Sequence, residues 1–188
     1  MDVKIFKNFL SKEECCLLNE IALANIDTWF GQGYDNGGVL VDNRITTRMY
    51  MNGAHYPKEV LEIANRVRVQ AGVDKHPIID DHGADGVVVS ITYEGGDVYE
   101  HNDPRGKLGH LAYRCNILSQ APESGGELYV NKNKIDIGAG DLHCYFASEL
   151  LHKVTKIEGT TPRIMWMFGA YFPPPELISP ETPGSQDL

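Results

Sequence analysis

Apolar positions recur with two different periods along this chain. Residues 11–25 open on Ser11 with Glu14 three places on, the reciprocal pair of a capping box, and repeat apolar residues at Cys15, Leu18, Ile21 and Ala22. That spacing describes one face of a helix. A second helical period follows Pro57, a residue suited to a first helical turn; it carries Val60, Leu61, Ala64 and Val67 inward and stops near Gly72. From residue 87 the period changes to two. Residues 87–93 form a β-branched run that reads as a buried strand and breaks at Gly95 and Gly96. Strand-like stretches recur at 125–130, 135–137 and 145–146, with a glycine-rich turn at 138–141. Residues 152–157 and 163–168 both alternate around a turn at 158–162, so they are expected to pair as a hairpin. Two helices flanking many short strands predict a mainly β protein. No internal repeat is evident.

Length and composition narrow this further. With 188 residues, 42% of them hydrophobic, the chain has enough material for one substantial core. We expect a single domain over residues 1–172 and a poorly ordered tail over 173–188, which is rich in proline, serine and acidic residues. No apolar run approaches a membrane span, and Asp2 and Lys4 precede too short an apolar stretch for a signal peptide. The four cysteines, at 15, 16, 115 and 144, have neither disulfide-framework nor zinc spacing. They read as reduced thiols in a cytoplasmic protein. A net charge of -9 argues against nucleic acid as a partner. Arg44, Arg48, Arg105, Lys107 and Arg114 fall near the segments that border the site described next, either as a local basic patch or as scattered solvated charges.

The candidate chemistry sits at His101, Asp103, His152 and Arg163. Two histidines and one carboxylate are the ligand set that holds Fe(II) on one face and leaves its other positions open. In an extended segment His101 and Asp103 point to the same side, so one strand end can present both to a single ion and a second strand must supply His152. A bare H-x-D also occurs in solvated loops, and His143 is a rival third ligand. His152 is preferred because its strand leads directly to Arg163. If the turn centres near residues 159–160, Arg163 lies opposite roughly Lys156, about 13 Å of backbone from His152 and on the same face. Long side chains narrow that gap to one a five-carbon dicarboxylate bridges, chelating a metal at one end and pairing with the guanidinium at the other.

These residues also carry a resemblance. The order Tyr93, His101-x-Asp103, Gly125-Gly126-Glu127-Leu128, Gly140-Asp141-Leu142, Phe146, His152-x-Val154 and Arg163 resembles the Fe(II)/2-oxoglutarate dioxygenases of the prolyl 4-hydroxylase-like branch. The opening at 9–15 is similar to the start of that branch, so the likeness spans nearly all of the expected domain. It implies a double-stranded β-helix, a jelly roll of the cupin kind, with iron on His101, Asp103 and His152. It also implies 2-oxoglutarate held by Arg163, with Tyr93 as a further hydrogen-bond donor, O2 as the oxidant and ascorbate in support. The implied activity is hydroxylation of an unactivated C–H bond with release of succinate and CO2. Asp103 separates the chain from halogenating relatives, which carry a small residue there. Many collagen-type prolyl hydroxylases carry Lys where Arg163 stands, and nucleic-acid demethylating relatives carry a second arginine after it. No Lys or Arg follows Arg163 here.

The reading that follows is hydroxylation of a prolyl or similar residue in a peptide or protein. Alternatives are a hydroxylase of a free amino acid or other small molecule, and a non-catalytic jelly-roll binding module. Residues 30–40 carry four glycines beside Trp29, Phe30 and Tyr34, and read either as a substrate lid or as an ordinary connector. His110 falls at a strand start and reads either as reaching the site or as merely packing, while His55, His76 and His82 read as surface residues and Asp141 as a turn residue bonding its own backbone. Trp166 and Phe168 alternate away from Arg163 into the core, whereas Met165 and Met167 share its face.

Overall fold

A computed structural model of the chain describes residues 2–25, 31–32, 43–50, 57–74 and 86–173. Helix α1 (Lys12–Ala24) starts as the capping box requires: the Ser11 side chain accepts from the Glu14 backbone N–H, and the Glu14 carboxylate accepts from that of Ser11. Its buried stripe is Cys15, Leu18 and Ala22. Helix α2 (Lys58–Ala71) follows Pro57 and ends on Gly72 in the left-handed conformation, the ordinary glycine stop. Here one expectation fails. Leu61 is 40% exposed and Ile63 is buried, because the stripe through Val60, Ala64 and Val67 continues through position 63, not 61.

Thirteen strands are described: β1 (Lys4–Phe6), β2 (Gly31–Gln32), β3 (Arg44–Tyr50), β4 (Gly86–Thr92), β5 (Val98–His101), β6 (Leu111–Gln120), β7 (Ser124–Gly125), β8 (Leu128–Val130), β9 (Asn133–Ile135), β10 (Leu142–Phe146), β11 (His152–Val154), β12 (Ile157–Glu158) and β13 (Arg163–Phe172). They form a major sheet of order β1-β10-β6-β13-β4-β3-β2, a minor sheet β5-β11-β8-β9, and the short pair β12-β7. The described pairings are antiparallel, as in a jelly roll.

Alternation along the major sheet decides what each face does. Val87, Val89 and Ile91 of β4, Cys115 and Ile117 of β6, Leu142 and Cys144 of β10, and Ile164, Trp166 and Phe168 of β13 point toward the helices and form the main core with Leu18, Val60, Ile63 and Val67. The intervening residues point toward the minor sheet, which contributes a second cluster through Leu128, Val130 and Val154. All four cysteines are free. Among the described residues no helix is long and apolar enough to cross a membrane.

The expected hairpin is absent. β11 pairs with β5 and β8, whereas β13 pairs with β4 and β6, so His152 and Arg163 belong to different sheets. The intervening chain turns a corner: Ile157 and Glu158 pair with Gly125 and Ser124, and Gly159 takes φ 88°. Residues of one alternating phase on two sheets can still face each other, and here they do so across the gap between the sheets.

Candidate metal centre and the cavity behind it

His101 ends β5 and His152 opens β11, and the register sets them directly opposite each other, with ring centroids 4.3 Å apart. Asp103 follows two residues after His101, with its backbone N–H donating to the Ala147 carbonyl at 2.9 Å. One ligand atom from each of the three residues lies within 4.8 Å of the others, in a group able to hold a metal ion. Asp103 Oδ1 is 3.5 Å from His101 Nε2 and 3.8 Å from His152 Nε2.

The protonation of this trio follows from its partners. His101 Nδ1 lies 2.7 Å from the Tyr99 carbonyl and His152 Nδ1 lies 3.0 Å from the Leu150 carbonyl. A carbonyl only accepts, so each Nδ1 carries a hydrogen, and Nε2, turned toward Asp103, is the ring nitrogen left to ligate. Burial lowers the His152 pKa below the ordinary histidine value and keeps the ring neutral. Burial alone would raise Asp103, but the charge and hydrogen bond of Arg114, with help from His101, outweigh it and hold the carboxyl well below the usual range. Two imidazole Nε2 atoms and one carboxylate are a donor set for a divalent first-row metal.

Behind the trio lies a cavity of about 160 Å³ between the two sheets. At 10–15 Å³ per water it has room for roughly 11–16 water-sized groups. His101, Asp103 and His152 line one part of it, and Arg163, Met165 and Met167 line another, as the alternation of β13 requires. Arg163 is 4% exposed and its Nε has no hydrogen-bond partner. Burial and the neighbouring charge of Arg44 lower its pKa to about 10. No carboxylate among the described residues pairs with this guanidinium. A buried cation without an anion costs several kcal/mol, so the cavity wall is built to meet one. Gly126 makes the room: a Cβ there would stand 3.1 Å from Arg163 Cδ.

The tyrosine that the resemblance puts beside the co-substrate, Tyr93, is not brought to this cavity. It follows Val87, Val89 and Ile91 in phase, and its side chain packs against the main core. Tyr145 lines the cavity instead, 3% exposed, with its ring edge-on to His152 at 5.4 Å. Burial raises its pKa, so it stands as a neutral phenol. His143, the rival ligand, also lines the cavity but lies outside the trio; burial, then Arg163, lowers its pKa to about 3. Both were within reach of sequence reasoning, because Leu142 and Cys144 alternate with them on the core side.

Arg44 and Arg114 line the cavity, whereas Arg105 pairs with Glu149 at 2.8 Å outside it and Lys107 is exposed. The side chain of Arg48 and nearly all of the loop at 30–40 lie outside the described residues, as do His55, His76 and His82.

No family profile matches the chain, and no curated protein sequence matches it. Solved structures do. A prolyl-4-hydroxylase from Pseudomonas putida superposes with a TM-score of 0.67 at 11% identity, covering 90% of this chain and 91% of that one. A prolyl hydroxylase from Trichoplax adhaerens, solved with a hypoxia inducible factor oxygen degradation domain peptide fragment, gives 0.63 at 17% identity over 88% and 83%. HygX from Streptomyces hygroscopicus, solved with nickel and 2-oxoglutarate, gives 0.64 at 14% identity over 91% and 82%. HygX has also been solved with hygromycin B bound. The chain therefore has the jelly-roll fold of the prolyl-4-hydroxylase-like Fe(II)/2-oxoglutarate oxygenases.

Proposed function

We propose that this protein is an Fe(II)- and 2-oxoglutarate-dependent dioxygenase that hydroxylates an unactivated C–H bond, of a prolyl or similar residue in a peptide or protein. One observation carries the reading: a buried arginine that meets no acidic group among the described residues shares a cavity with two imidazole Nε2 atoms and a carboxylate. That is the complement of a ligand that chelates a metal at one end and is a carboxylate at the other. His101, Asp103 and His152 would hold the iron. When bound, iron, 2-oxoglutarate and O2 supply the oxidising power, with succinate and CO2 as by-products.

The chain's own residues bind, orient and shield. Arg163 pairs with the distal carboxylate through two parallel hydrogen bonds. Tyr145 is the phenol donor on the cavity wall, the role expected of Tyr93. Met165, Met167, Leu128 and Val154 present apolar surface that keeps water from the reacting centre. The backbone carbonyls of Tyr99 and Leu150 fix the two imidazole tautomers. Residues 1–172 form the catalytic domain in this reading.

A small-molecule substrate is the second reading, favoured by the likeness to HygX solved with hygromycin B. Incubation with Fe(II), ascorbate and labelled 2-oxoglutarate, against panels of prolyl peptides and of free amino acids and other metabolites, tests both. The first reading predicts succinate formation coupled to a gain of one oxygen in a peptide. Gain in a metabolite alone selects the second reading, and no turnover of 2-oxoglutarate under any condition contradicts both.

A further inference from the structure

Arg114 lines the same cavity and makes a short bond at the metal centre. Its Nε lies 2.6 Å from Asp103 Oδ2, with the two side chains 18% and 14% exposed. His101 and His152 belong to the minor sheet and Asp103 follows directly from it. Arg114 comes from β6 within the major sheet, opposite Tyr145 on one side and Gly169 on the other. The ion pair therefore ties the metal centre to the sheet that carries Arg163.

The pair also divides the labour of the two Asp103 oxygens. Oδ1 faces the imidazole nitrogens at 3.5 and 3.8 Å, while Oδ2 is taken by the guanidinium. The backbone at Asp103 is already fixed by its bond to Ala147, so rotation of the carboxylate is the freedom left to control. A rotating carboxylate can offer a metal one oxygen or both; one whose second oxygen is held by a charge-assisted bond offers one. The difference would matter to a bound metal: two imidazoles and one carboxylate oxygen would leave it more positions for a co-substrate than two imidazoles and both oxygens of Asp103.

We propose that Arg114 is a positioning residue that restricts Asp103 to single-oxygen ligation and so keeps the metal's open positions available. The inference rests on the metal-centre reading above. Arg114→Gln keeps one N–H donor and removes the charge; Arg114→Lys keeps the charge and loses the fixed fork of donors.

Mn(II) titration of the metal-free proteins, followed by electron paramagnetic resonance, measures affinity without turnover. Visible absorption of the Co(II)-loaded proteins reads the set of ligands on the metal and their geometry. The wild type is expected to bind one ion, and Arg114→Gln to bind about 10- to 100-fold more weakly. The variant's cobalt spectrum should also change, as the second Asp103 oxygen replaces a solvent ligand, with Arg114→Lys intermediate in both. Failure of the wild type to bind either ion overturns the metal-centre reading itself. Binding by the wild type, with unchanged affinity and spectrum in both variants, overturns the role of Arg114 and leaves the metal centre standing. If neither variant folds, a structure of the Mn(II) wild type decides: one Asp103 oxygen on the metal supports the proposal, and two overturn it.

Discussion

Arg163 brings a charge to a cavity wall where no carboxylate among the described residues meets it, and this sets what its removal does. In Arg163→Met the distal carboxylate of 2-oxoglutarate loses a buried charge-assisted partner, a loss of about 2–5 kcal/mol. The apparent Michaelis constant for 2-oxoglutarate is expected to rise about 30-fold or more, with Arg163→Lys recovering part of it. An unchanged constant in Arg163→Met means that another residue holds the acid. His143 acts through protons. Its folded pKa is lowered to about 3, while the unfolded chain titrates near 6.5, so between these values the unfolded state binds a proton that the folded state does not. Stability therefore falls as pH drops from about 6.5, by about 1.4 kcal/mol per unit at the steepest. Denaturant unfolding of metal-free His143→Asn should show a shallower loss between pH 6 and 4. His152, shifted the same way, keeps the slope from vanishing. Equal slopes in variant and wild type would contradict the buried neutral state of His143. Much of this scale was legible in the sequence: Trp166 and Phe168 fall in the core and Met165 and Met167 on the cavity, as alternation demanded. Tyr93 packs against the core because it continues the phase of Val87, Val89 and Ile91, a fact that family order does not carry. Asp141 accepts from the backbone N–H of Gly138, as its turn position implied, and also from that of Asn8, which the turn did not imply.

At the level of elements, the corner between β11 and β13 governs the approach of the arginine to the cavity. Gly126 has φ +65°, and a Cβ there would lie 2.8 Å from Ile157 Cδ1 and from Pro122 Cγ as well as 3.1 Å from Arg163 Cδ. Gly126→Ala should cost about 1–2 kcal/mol in backbone strain alone, lowering Tm by a few degrees. It should also weaken 2-oxoglutarate binding, because Arg163 must move. Calorimetry together with 2-oxoglutarate titration checks both, and a fully wild-type titration would show that Arg163 does not depend on this glycine. The two helices were readable almost to the residue, since capping chemistry and the glycine stop act locally. The pairing of 152–157 with 163–168 was not. Alternation reports which way a side chain points relative to its own sheet, and carries no information about which sheet the strand joins.

For the whole molecule, the binding residues are divided between two sheets that meet across a cavity: the trio at the edge of the minor sheet, Arg163 on the major one. A ligand bridging the sheets stabilises the folded chain by mass action, about 2.7 kcal/mol at a concentration 100-fold above its dissociation constant. Mn(II) with 2-oxoglutarate should raise Tm by about 5–10 °C in the wild type and clearly less in Arg163→Met. The arrangement of sheets was open to sequence reasoning only through resemblance, because long-range pairing leaves little trace in local periodicity.

The central claim is that one cavity joins a metal on His101, Asp103 and His152 to a 2-oxo acid anchored on Arg163. Visible absorption of the Fe(II)-loaded protein, titrated with 2-oxoglutarate in the absence of O2, tests it most directly, since chelation of a 2-oxo acid to Fe(II) creates a charge-transfer band. The wild type should develop that band to saturation, Arg163→Met only at much higher 2-oxoglutarate, and Asp103→Ala and His152→Ala not at all. A wild-type protein that develops no band, or a band that survives unchanged in Asp103→Ala and His152→Ala, would contradict the account.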